Sequence, residues 1–130
     1  SALVGSQVAN AAPPDGTYRG PVTASKGLTL NCTLSFEVSS GGTQVGFIGL
    51  AGAMCYTWFQ NLPYGMTSTG ATSGTFAITG IDAEVWVYGG CQGSMTGTWT
   101  GTTLNIDAVL PPKVAGTGNC TFKGWVQKID

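Results

Sequence analysis

From residue 28 to residue 38 the chain alternates without a break: every even position is apolar and every odd one polar. Successive side chains of a strand point to opposite faces, so this period of two defines a half-buried antiparallel strand with Cys32 on its inward face. Residues 120–128 repeat the pattern, with Cys120, Phe122 and Val126 inward. The two segments also share a short echo, Asn31-Cys32-Thr33-Leu34 and Asn119-Cys120-Thr121-Phe122, which suits similar places in one sheet or in facing sheets. Further strands are expected over residues 44–50, 74–81, 83–88, 94–100 and 102–110. Turn chemistry separates them at Gly41-Gly42, Gly89-Gly90, Gly101 and Pro111-Pro112. Residues 51–70 are the least strand-like, with a turn at Leu62-Pro63-Tyr64-Gly65 and room for one short helical turn over 53–59. The expected fold is all-β: an antiparallel β-sandwich or barrel of about seven or eight short strands.

A chain of 130 residues suits one domain with a real core. Its stock of reactive side chains is nearly empty: there is no histidine, and Lys plus Arg number 5 against 6 Asp plus Glu. General acid–base and nucleophilic catalysis draw mostly on such groups, so a structural or binding protein is expected rather than an enzyme. Ser or Thr nucleophiles lack a histidine base, and no motif supports Ser–Lys chemistry at Lys26 or Lys113. Arg19, Lys26, Lys113, Lys123 and Lys128 are scattered, which argues against nucleic acid as a partner. No apolar run approaches the roughly 20 residues that span a bilayer. Charged residues make up 8% of the chain, against about 25% in an average domain, so the surface has little to oppose self-association.

Cys32, Cys55, Cys91 and Cys120 lie far apart. None has the C-x-x-C spacing of a zinc or thioredoxin-like site, and no histidine completes a mixed zinc site. No cofactor or metal is expected. An even count in a Thr- and Gly-rich β chain reads as two disulfides formed in an oxidising compartment. Spacing leaves three connectivities open. The inward strand positions favour Cys32 with Cys120, and hence Cys55 with Cys91.

Residues 1–16 read as an amino-terminal arm and linker, and residues 17–130 as the β domain. The arm has no charged side chain before Asp15, and in extended form it sets Ala2, Val4 and Val8 on one face. Pro13-Pro14-Asp15-Gly16 is a stiff breaker expected to project it from the body. Ala9-Asn10-Ala11 imitates a signal cleavage site, but Ser6 and Gln7 interrupt the apolar stretch that should precede one, so a mature terminus is expected. Laid on its own sheet, the arm is an edge strand. Laid on a neighbour's, it joins identical subunits head to tail into a filament.

Cys32 within its alternating strand, Ala53-Met54-Cys55, Cys91-Gln92-Gly93 and Cys120-Thr121-Phe122 together resemble the PraB-like family, small secreted bacterial proteins named as activators of alkane oxidation. The resemblance runs over about residues 22–126 and brings no catalytic residues with it. It implies an extracellular, surface-associated protein linked to biofilms. Donor-strand pili offer an analogy of architecture for the arm.

Two other features bear on function. Asp82 and Glu84 share one strand face and could suggest calcium or glycoside chemistry, but read as solvated outward residues. Trp86, Tyr88 and Trp125 fall on the polar phase of their strands, and Tyr56, Trp58 and Tyr64 lie in the irregular segment. Asn31-Cys32-Thr33 and Asn119-Cys120-Thr121 match a glycosylation acceptor pattern by accident of the disulfide cysteines. The leading expectation is an extracellular filament subunit joined by its arm. The alternative is a secreted monomeric module that binds carbohydrate or an alkane-like ligand through Trp58, Trp86, Tyr88 and Trp125.

Overall fold

Alternating apolar side chains and glycine-bearing turns drive this chain into strand after strand. The computed structural model describes residues 12–130. Nine strands follow in order: β1 (Gly16–Lys26), β2 (Leu28–Ser39), β3 (Gln44–Ala51), β4 (Thr57–Phe59), β5 (Tyr64–Ser68), β6 (Ser73–Val85), β7 (Gly89–Thr100), β8 (Thr103–Leu110) and β9 (Cys120–Lys128). Every pairing is antiparallel. The neighbours run β6-β5-β3-β2-β1-β9-β8-β7, and β7 pairs back onto β6, so eight strands close into a barrel. The fold is the barrel rather than the sandwich. Short β4 lies on β6 beyond β5, with Thr57 to Phe59 opposite Val85 to Ala83.

Closure pairs the two outer strands of the sheet with each other. One of the stretches left unpaired on one side is in β3: only Gln44 and Val45 pair with β5, and from Gly46 onward its side away from β2 has no ladder partner among the described residues. A bulge against β2 sits at this point, and Phe47 is held there at φ 48° with 82% of its surface exposed.

The two strands expected at 74–81 and 83–88 are one continuous strand, β6. A bulge between Ile78 and Ile81, with Gly80 at φ 74°, shifts the phase by one residue so that both isoleucines face inward. That shift breaks the alternation in the sequence and makes one strand read as two. The core fills the barrel with Tyr18, Phe36, Ile78, Met95, Leu104, Phe122 and their neighbours, and Tyr18 stacks on Phe36 at 5.9 Å. Outward positions are largely Thr, Ser and charged residues, the reverse of a lipid-facing barrel. No helix among the described residues is long and apolar enough to cross a membrane.

Residues 13–16 are tied to the body, and the arm they are expected to project lies outside the described residues. Pro13 is buried, and the Tyr18 hydroxyl donates to the Pro14 carbonyl at 2.6 Å. The Asp15 carboxylate accepts the Gly41 and Gly42 N–H groups at 3.0 and 2.8 Å, on the turn between β2 and β3. Breaker residues fold back here because the positive φ of both glycines aims two free N–H groups at one carboxylate.

Tyr18 makes this anchor sensitive to alkali. Burial, and then the nearby Asp15 and Asp130 carboxylates, push its pKa up to about 12. Its unfolded value is about 10, so up to that pH its contribution is constant. Between about 10 and about 12 only the unfolded chain ionises, and stability falls by about 2–3 kcal/mol. Tyr18→Phe should lose about 1 kcal/mol at neutral pH with the Pro14 hydrogen bond. The deficit of the variant should then close and reverse across that alkaline window in urea unfolding, leaving Tyr18→Phe the more stable by about 1–2 kcal/mol at its upper end; a gap of constant size would refute the assignment.

Candidate functional site

The inward phase of β1 and β2 outruns the core. On β2, Cys32, Leu34, Phe36 and Val38 are buried, yet Leu30 is half-exposed and Leu28 is 46% exposed, although both continue the same face. On β1 the inward phase ends in half-buried Ala24 and buried Lys26. What these side chains surround, at the barrel end opposite the Asp15 anchor, is a cavity of about 60 Å³. Leu28, Leu30, Val85 and Phe122 form its apolar wall, with Met54, Tyr56, Trp86, Val87 and Tyr88 toward the rim. Lys26 is the one charged residue in the lining.

Both disulfides stand at this end. Their cysteines pair as Cys32–Cys55 and Cys91–Cys120, with Cα–Cα distances of 6.0 and 6.2 Å, in place of the expected Cys32–Cys120 and Cys55–Cys91. The reason is topological. β1 pairs along its length with both β2 and β9, so it separates the strands that carry Cys32 and Cys120. One intervening strand puts partners about 9–10 Å apart, beyond the reach of a disulfide. Cys55 instead returns to Cys32 through the turn after β3. Cys91 meets Cys120 where β8 ends and the chain turns through Pro111-Pro112. All four cysteines are thus in disulfides, as befits an oxidising compartment.

The rim is built on two turns. Trp86-Val87-Tyr88 is not strand but the reversal between β6 and β7. The Trp86 N–H donates to the Tyr56 carbonyl at 3.0 Å, and the two rings meet edge to face at 5.2 Å. Val87 sits at φ 58° with 72% of its surface exposed, and Met54, on the facing turn, at φ 64° with 54% exposed. A left-handed conformation is unfavourable for such side chains, above all for a β-branched one. Val87 and Met54 are thus apolar residues held exposed at a cost in backbone energy.

A loop from residue 111 to 119 flanks the cavity and is strapped down twice. Lys113 forms ion pairs with Asp82 and, at 2.6 Å, with Glu84, and its N–H donates to the Gly90 carbonyl. The two carboxylates, Asp82 first, raise the Lys113 pKa above its usual value. Asp82 and Glu84 are therefore clasps for this loop and not free solvated residues. The second strap is Lys26, whose ammonium donates to the carbonyls of Gly118 at 2.6 Å and Thr117 at 3.2 Å.

Of the aromatics singled out in the sequence, Trp86, Tyr88 and Tyr56 converge on the cavity. Trp58, on β4, and Trp125, on the outer side of β9, are half-exposed but do not line it. Tyr64 is buried, its hydroxyl donating to the Gln60 carbonyl at 2.5 Å. Ala2, Val4 and Val8 lie outside the described residues. Sequence reasoning missed Leu28, Leu30, Met54, Val87 and Lys26 as site residues. The signal for Lys26 was legible, as a charged residue on the inward phase of a strand.

Fold and site define a small disulfide-braced β-barrel with an apolar pocket in one mouth. The chain belongs to the alkane oxidation protein activator PraA/PraB-like family, whose profile matches residues 1–129. No curated protein and no solved structure gives a significant match.

Val87→Asn tests the strain at the rim. Asparagine tolerates the left-handed region, so the variant should be about 1 kcal/mol more stable by chemical denaturation. Equal or lower stability would show that the valine side chain is held by contacts that repay its backbone.

Proposed function

We propose that this chain is a secreted binding module that takes the apolar end of a chain-like ligand into the barrel mouth. The observation that carries this reading is the continuation of the inward apolar face, at Leu28 and Leu30, past the point where the core ends. A cavity of about 60 Å³ is several times what one water needs and well below the roughly 150 Å³ that holds a benzene ring. It therefore suits the tip of an alkyl chain, with the remainder lying against Tyr56, Trp86 and Tyr88. A sugar needs paired polar groups beside its aromatic platform, and the lining here offers few. The family description, an activator of alkane oxidation, agrees with a hydrocarbon-like ligand. The role is one of binding, without catalysis.

Linear primary alcohols test the reading. Followed by tryptophan fluorescence, affinity should rise about fourfold per added CH₂ until the cavity and rim are full. Ala24→Leu places its added carbons in the cavity and should abolish saturable binding without loss of thermal stability. Trp125→Ala should leave binding unchanged. No saturable binding in the wild type, or full binding by Ala24→Leu, would refute the proposal.

One observation favours a second reading, the filament. The unpaired side of β3 from Gly46 to Ala51 carries no charged side chain and is open to an added strand. An identical copy could lay the segment bearing Ala2, Val4 and Val8 there, giving an extracellular homopolymer. The open stretch is six of the eight residues of β3, shorter than an edge of roughly ten residues at the upper end of strand lengths. This reading expects filaments by electron microscopy that vanish when residues 1–11 are deleted and return when the peptide is resupplied. Filaments unaffected by the deletion would exclude it.

A further inference from the structure

Lys26 is out of place by ordinary rules. It sits on the inward phase of β1 and is 5% exposed, yet no carboxylate lies within ion-pair reach of it among the described residues. Buried charges are normally paired. The acids nearest the same loop, Asp82 and Glu84, are taken by Lys113. The Lys26 ammonium is held by two backbone carbonyls and, at 3.4 Å, by the Thr117 hydroxyl. These neutral partners satisfy its hydrogen bonds and leave its charge uncompensated. It is also the sole charge in an otherwise apolar pocket.

We propose that Lys26 receives the anionic head of the pocket's ligand, which is therefore an alkyl carboxylate and not a neutral hydrocarbon. The inference rests on the apolar-pocket reading above and adds the polar end of the ligand to it. The longest of the three contacts, to the Thr117 hydroxyl, is the one a carboxylate oxygen replaces. That exchange leaves no group stranded, because the same hydroxyl already donates to the Val114 carbonyl at 2.6 Å. The charge count sets the class of head group. One ammonium with no second cation and no guanidinium fork matches a monoanion, whereas a dianionic phosphate would stay half-compensated. The aliphatic stem of Lys26 passes beside Gly89 and Lys26 is among the residues that line the pocket, so head and tail would be bound by adjacent surfaces.

The test compares decanoate with methyl decanoate, which has the same acyl chain without the charge, at pH 8 and below the micellar range. Binding is read by calorimetry on the wild type and on Lys26→Met. A charge-assisted contact predicts that the wild type binds decanoate at least about tenfold tighter than the ester. In Lys26→Met that preference should disappear, the variant binding acid and ester alike. If Lys26→Met does not fold, Lys26→Gln keeps a donor toward the Gly118 carbonyl without the charge and makes the same comparison. Equal binding of acid and ester by the wild type overturns the role of Lys26 and leaves the apolar pocket standing. So does a preference that survives the substitution. Failure of both ligands to bind overturns the pocket reading itself.

Discussion

Without the ladder between β6 and β7, the eight strands would form an open, twisted sheet with one apolar face and two long edges. That ladder runs nearly the full length of both strands, from Ser73 opposite Thr100 to Val85 opposite Gly89. Joining the ends turns one face of the sheet into an interior and leaves the other to water. A chain with so few charges has little else with which to guard its edges, so closure does for it what lysines and prolines do for many open sheets. The bulge at Gly80 belongs to the same device: it bends β6 and keeps Ile78 and Ile81 both inside.

The pocket is a consequence of filling such a barrel. Eight strands enclose a space that side chains can just occupy. Toward the Asp15 anchor that space holds Tyr18, Phe36, Tyr64 and Trp99. At the other end small Ala24 and the disulfide cysteines stand among Leu28, Leu30, Val85 and Phe122, and a cavity remains. The two disulfides brace this thinly packed end, where hydrophobic contact is weakest. They hold the turns carrying Met54 and the start of β9 in place, and the Trp86–Tyr56 contact joins the rim across the mouth.

Strands with a strict alternation, β2 and β9 above all, were legible in the sequence, and with them the all-β class and the inward cysteines. β1 was not, because its inward face mixes Gly20, Ala24 and Lys26 with Tyr18 and Val22. Gly20 is required there, since a Cβ would fall 2.0 Å from the Trp125 carbonyl oxygen. β4 and β5 are short and owe their form to β6 alongside them, a long-range partner that local pattern does not reveal. The disulfide partners depended on strand order, which spacing does not encode. Trp86 and Tyr88 stood out as aromatics, but their place in a turn at the pocket rim follows from the pairing of Val85 with Gly89, which the local pattern does not reveal. Lys26 was visible as a residue and not as a site, because its meaning lies in what fails to surround it.

The placement of the cations has a consequence for resistance to proteolysis. Trypsin-like proteases cut after Lys or Arg, and need a stretch of chain free to enter their active site. This chain has five such residues. Arg19, Lys123 and Lys128 lie within paired strands, Lys26 is buried at the end of β1, and Lys113 is clasped to Asp82 and Glu84. The bond after Lys113 lies in a loop held by the ion pairs of that residue, and the others lie in or beside paired strands, so cleavage would have to await release of that loop or an opening of the ladders. The ladders that close the sheet, together with the Lys113 ion pairs, therefore also set how long the folded protein resists trypsin-like proteases.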